Sequence, residues 1–201
     1  MSAEASAPAL HAIMSVKRSL VLILDERIDE AAEILNPAEQ ACRELSLGGH
    51  AGTARRQMGT IAYLRGNLDE ARNLIQDSIT ELEKGGLVWL SQRSLLVLAK
   101  LEADSGNIRA AKHALEKAKE SENAPSIAPL IEDMVHSHFA MAKILPTQTT
   151  KGESKDKAIG DVNKLLEKAE AILNDPSKEI EGGYAEVRMG VLFLKNRLRA
   201  L

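Results

Sequence analysis

Two stretches of this 201-residue chain carry the same helical phrase with the same internal spacing. The first reads Met58-Gly59, Gly66-Asn67-Leu68, Ala71, Ile75 and Ile79. The second reads Leu98-Ala99, Gly106-Asn107-Ile108, Ala111, Leu115 and Ala118. Gly66 and Gly106 are 40 residues apart. A period of that size predicts a stacked helical array, in which each unit buries its apolar side only against its neighbours. Arrays of this kind work mainly through surfaces presented to other proteins, so the period bounds the function without naming a partner.

Composition agrees with helices. Apolar residues make up 44% and aromatics only 2%, so the core must be built from Leu, Ile, Val, Ala and Met, a diet that suits helices better than sheets. The formal charge of −3 is spread thinly: residues 1–86 hold 9 basic and 13 acidic side chains, residues 87–145 hold 7 of each, and the remainder hold 10 and 9. No block has the basic footprint of a nucleic-acid binder. Cys42 is the single cysteine, which excludes an internal disulfide and a thiolate-rich zinc site, and points to a reducing, intracellular location, cytoplasmic with the nucleus left open. The apolar run Leu20–Leu24 is too short to span a bilayer and is followed at once by Asp25, Glu26 and Arg27, so neither a membrane association nor a secretory signal is expected.

Periodicity predicts helices almost end to end and no alternating strand. Residues 1–8 are expected to fray, with a first helix from about Ala9 through Leu24 and on toward Leu35. Asn36-Pro37-Ala38-Glu39 reads as a helix start, with Asn as cap, Pro at the first helical position and Glu three residues after the cap. Gly48-Gly49 reads as that helix's stop. Two helices follow, ending near Gly66 and at Gly85-Gly86, then a pair from Leu87 to Ser105 and from Ile108 to about Ser121. A helix is expected from Ile127 to Leu145, and residues 146–157, which lack any aliphatic side chain after Pro146, read as a mobile surface loop. Helices from Ala158 to Asn174 and from Tyr184 to Leu201 complete about nine, in one domain spanning residues 1–201.

The two central copies, clearest over residues 52–86 and 92–121, resemble the tetratricopeptide repeat family. That pattern sets a small residue in the first helix, a glycine turn seven later, an alanine five on, a large apolar residue four further and often an alanine three beyond. Gly59, Gly66, Ala71 and Ile75 match, with Ser78 in the last place; Ala99, Gly106, Ala111, Leu115 and Ala118 match throughout. The usual first-helix aromatic is displaced to Tyr63 in one copy and replaced by Glu102 in the other, and the spacing exceeds the family's usual length of about 34. The resemblance implies an all-α solenoid of antiparallel helix pairs, serving as a protein–protein interaction scaffold or adaptor within a larger assembly. A second implied role is a sensor domain of a transcription regulator that binds an effector peptide or small molecule.

The family's concave surface is lined by first helices. Carried onto this chain, the groove comprises Thr53, Arg56, Thr60 and Tyr63, then Arg93, Leu96, Lys100 and Ala103. Arg56, Arg93 and Lys100 are placed to hold a peptide carboxylate, or else are solvated charges. The asparagines of the family's chaperone-tail clamp are absent, since Thr60 and Tyr63 stand there. A second surface is the last helix, where Tyr184, Val187, Val191 and Leu194 form an apolar stripe. Either core packing or docking accounts for it, and for Leu20–Leu24 at the other end, self-association included. Met189-Gly190 echoes Met58-Gly59, so that helix reads as half a repeat, a cap or the edge of a longer array.

No enzyme, cofactor or metal site is expected. His136 and His138 are two residues apart, on opposite sides of a helix. Gly152 and Gly160 lack the lysine of a phosphate loop, and Cys42 reads as a small core residue.

Overall fold

The structure is a computed structural model, and it describes residues 3–119, 152–174 and six positions near the C-terminal end (188, 191, 192, 195, 198 and 199). Among the described residues there are seven helices and no strand. They are α1 (Ala3–Leu24), α2 (Ile28–Glu44), α3 (Gly48–Leu64), α4 (Leu68–Lys84), α5 (Val88–Asp104), α6 (Ile108–Lys119) and α7 (Gly152–Leu173). The chain divides into two compact units, Met1–Leu98 and Ala99–Leu201, with the division falling inside α5. The helices expected at 127–145 and 184–201 lie outside the described residues, apart from the six single positions.

The beat of the fold is 20 residues. Helices α2 to α5 are each 17 residues long, about 25 Å of helix, and each linker from α1 to α6 is three residues. The backbone turns left-handed at Glu26 (φ 61°), Ser46 (57°), Gly66 (84°), Gly86 (70°) and Gly106 (80°). At each turn the amide of the left-handed residue donates to the carbonyl three back, and the next amide donates to the carbonyl five back. Arg27→Leu22 at 2.8 Å, Asn67→Ala62 at 2.9 Å and Asn107→Glu102 at 2.8 Å are three examples. This pair of bonds is the Schellman closure, which satisfies the last carbonyls of one helix and launches the next.

The 40-residue period therefore holds for the turns at 26, 66 and 106, each of which joins two helices. The earliest, α1/α2, escapes sequence reading because Ser19 stands in the place of Gly59 and Ala99, and Glu26 in the place of Gly66 and Gly106. Its Ala31, Leu35 and Ala38 nonetheless occupy the places of Ala71, Ile75 and Ser78, and all are buried.

Consecutive helices pack against each other: α1 on α2, α2 on α3, and α3 on α4. In the α3/α4 hairpin a Cβ built on Gly59 would lie 2.6 Å from Ile75 Cγ1, and one on Gly52 2.6 Å from Leu82. Early residues of α3 thus face late residues of α4, an antiparallel pair whose approach depends on two side chains being hydrogen. Ser78 donates to the Gly52 carbonyl at 2.7 Å and accepts from the Ser94 hydroxyl at 3.0 Å, tying α4 to both its neighbours.

Hairpins also meet hairpins within the first unit. The Ser19 hydroxyl of α1 donates to Gln57 of α3, and Arg43 of α2 pairs with Glu81 of α4 at 2.6 Å. Each contact joins residues 38 apart, so first helices lie beside first helices and second beside second. Arg55 of α3 bridges the two layers, reaching Glu39 at 2.9 Å and Asp77 at 3.5 Å.

Several expectations are corrected. α2 starts at Ile28 and runs through Pro37, because the buried stripe Ala31, Leu35, Ala38 and Cys42 continues across it. Gly48-Gly49 opens α3 and ends nothing, since the preceding helix already stops at Glu44. α1 begins at Ala3 and not at Ala9. Residues 152–157, expected in a loop, are the first turns of α7, while 146–151 lie outside the described residues. Val162, Leu165, Leu166 and Ala169 of α7 are buried.

α1 also carries an 18-residue window, Ala7–Leu24, long and apolar enough by length and composition to cross a membrane, with mean hydropathy 1.4. The apolar run Leu20–Leu24 is the end of this longer window. Ala12, Val16, Ser19, Leu22 and Ile23 of that window are buried against the helices that follow.

Candidate functional site

The expected groove splits when its side chains are placed. In α3, Arg56, Thr60 and Tyr63 are buried and only Thr53 is partly exposed. The reason is helical geometry. Arg56 lies four residues after Gly52, and Tyr63 four after Gly59, so both continue the seam that packs on α4. The Thr60 hydroxyl donates back to the Arg56 carbonyl at 3.1 Å, and that of Thr53 to the Gly49 carbonyl at 2.8 Å, so both protons are held by the helix's own backbone. In α5, Lys100 is buried and Ala103 fully so, whereas Arg93 and Leu96 keep part of their surface. The open face expected of Arg56, Thr60, Tyr63 and Lys100 is therefore not open at those positions.

Arg93 stands over a feature the sequence reading passed by. Its guanidinium lies 5.1 Å from the ring centroid of Trp89, and Trp89 and its neighbour Val88 are each 53% exposed at the start of α5. A half-exposed tryptophan held by a cation is a contact of the kind found at protein interfaces. The signal available in the sequence was the lone tryptophan followed four residues later by arginine.

Of the C-terminal set, Val191 is buried, and Tyr184, Val187 and Leu194 lie outside the described residues. Lys195 pairs with Glu170 of α7 at 2.8 Å.

The described residues hold no group of three or more His, Cys, Asp or Glu side chains able to take a metal. Cys42 is fully buried, and burial first, then the nearby Glu39, pushes its thiol pKa up, away from the nucleophilic thiolate. His50 is shifted the other way for an imidazole: burial, then the charge of Lys17, lowers its pKa and keeps it neutral. A cleft of about 110 Å³ opens between α2, α3 and α4 beside Asn36, Met58, Arg65 and Glu70. That is well below the roughly 300–1,000 Å³ of small-molecule sites.

On α1, Leu10, Met14 and Val21 are more than half exposed. No protein-family model, curated protein or solved structure matches this chain.

Proposed function

We propose that the chain is a protein–protein interaction module, an α-solenoid of antiparallel helix pairs of the tetratricopeptide type that serves as a scaffold or adaptor. The observation that carries this reading is the recurrence of one turn at 26, 46, 66, 86 and 106, with neighbouring hairpins joined by contacts between residues 38 apart. Stacked hairpins create extended binding surfaces to which several copies contribute. What it offers is repeated helix surface, and of the six exposed large apolar side chains among the described residues, Leu10, Met14, Val21, Val88 and Trp89 lie on such surface and Leu45 in a linker.

The test is affinity purification from cells of origin under native conditions, with partners identified by mass spectrometry. One or more proteins in fixed stoichiometry with the chain is the expected result. Repeating it with Trp89→Ala and Arg93→Glu, and separately with Leu10→Ser and Met14→Ser, assigns a partner to the α5 or the α1 surface. A chain that returns no specific protein, but shows a ligand-dependent rise in melting temperature with a small molecule, overturns the adaptor reading.

A further inference from the structure

The cleft of about 110 Å³ between α2, α3 and α4 lies wholly inside the first unit. Its buried end is Ile61 and Ala62 of α3, its sides are the partly exposed Ala32, Met58 and Leu74, and Asn36, Arg65 and Glu70 stand exposed at its mouth. The repeat register explains the space. Ala32 holds on α2 the place of Arg72 on α4, and Ala62 holds on α3 the place of Glu102 on α5. Arg72, its side chain 23% exposed, bonds Asp69 at 2.7 Å, and Glu102 is buried and accepts from Asn107 at 2.8 Å. Where the later rung carries a guanidinium and a carboxylate, the earlier one carries two methyl groups. A cavity of roughly 150 Å³ holds one benzene-sized molecule, so this cleft takes a single side-chain head.

Charge decides which head. At the mouth, Arg65 is already matched by Asp29 of α2 at 2.5 Å. Glu70 meets no cation among the described residues, and accepts only from Asn67, at a long 3.3 Å. An acidic side chain entering here would be set against the Glu70 carboxylate. We propose that the cleft takes one arginine side chain of a protein partner. Its methylenes lie along Met58, Ile61 and Leu74, and its guanidinium meets the Glu70 carboxylate. Arginine is favoured over lysine because its planar head is more weakly hydrated and leaves water more readily. The same residue type already stands at the equivalent place on α4, as Arg72.

The inference rests on the interaction-module reading, and two measurements separate them. The isotope-labelled full chain is titrated with the capped tripeptide Ala-Arg-Ala and followed by NMR. Shifts centred on Met58, Ile61 and Leu74 are expected. Affinity should fall about threefold for Glu70→Gln, or for citrulline in place of the arginine, and weaken with salt. Ala32→Arg, which installs the residue of α4, should abolish binding; Ala32→Leu fills the same space should the first variant not fold. No shifts at about 10 mM peptide, equal binding of the citrulline peptide, tighter binding of Ala-Glu-Ala, or unchanged binding by the filled cleft would each overturn it. If native affinity purification returns no protein partner, the interaction reading fails and this site with it. If partners return while the arginine peptide stays silent, only the arginine site fails.

Discussion

The first and second hairpins share a backbone and differ in almost every residue thought to specify it. α3/α4 has Gly59 at the close approach, Gly66 at the left-handed turn and Asp77 on the outer side of its second helix. α1/α2 has Ser19, Glu26 and Pro37 in those places. What the two retain is the buried ladder of the second helix: Ala31, Leu35, Ala38 and Cys42 beside Ala71, Ile75, Ser78 and Leu82. The lesson is that the apolar ladder sets the hairpin, while the small residues and turn glycines tune how well it closes. The first hairpin is the strained edition of the second.

That comparison can be broken by substitution. The largest effect is expected at Gly59→Val. A Cβ there lies 2.6 Å from Ile75 Cγ1 and 3.2 Å from the Ala71 carbonyl, and overpacking of this kind costs about 2–3 kcal/mol. Ser19→Val, at the equivalent place, removes the bond to Gln57 and should cost about 1 kcal/mol by urea denaturation. Equal losses would mean that the two seams are packed alike.

Next comes Pro37→Asp, which installs the residue of the second hairpin. It restores an amide donor inside α2 and should stabilise by about 2 kcal/mol. A neutral result would show that α2 has already absorbed its proline. Smaller, and opposite in sign between hairpins, are the turn exchanges. Glu26→Gly should raise stability and Gly66→Ala lower it, each by about 1 kcal/mol, because an L-residue at positive φ is strained.

The smallest effect is that of pH on the contact between hairpins. His50 has a folded pKa below its ordinary 6.5, so the unfolded chain takes up the proton first as pH falls. Its neutral form therefore supports the fold fully above about pH 6.5, and that support is lost as pH drops from there through the folded value. His50→Leu, matching positions 10 and 90, should flatten the melting temperature between pH 7 and 5. Lys17→Gln should move the His50 titration, read by NMR, upward.

How much of this was legible follows from the same residues. The second and third hairpins announce themselves because glycine stands at their turns. At position 26 the cue is absent, and the strong local signal of Asn36-Pro37 pointed to a helix start where the tertiary ladder runs straight through. The burial of Arg56, Thr60 and Tyr63 was not legible for a related reason. Steps of three and four give a stripe but not its azimuth, and Gly52 and Gly59 fix the azimuth only once α4 is seen against them.

The three-residue linkers have one last consequence. Each closes through its own backbone bonds, so a hairpin carries its complete instructions for meeting the next. A tandem duplication of residues 48–87 would then insert a ready-made rung, its leading face matched to α1/α2 and its trailing face to α5. Such a chain can lengthen by copying itself, with no new junction to invent.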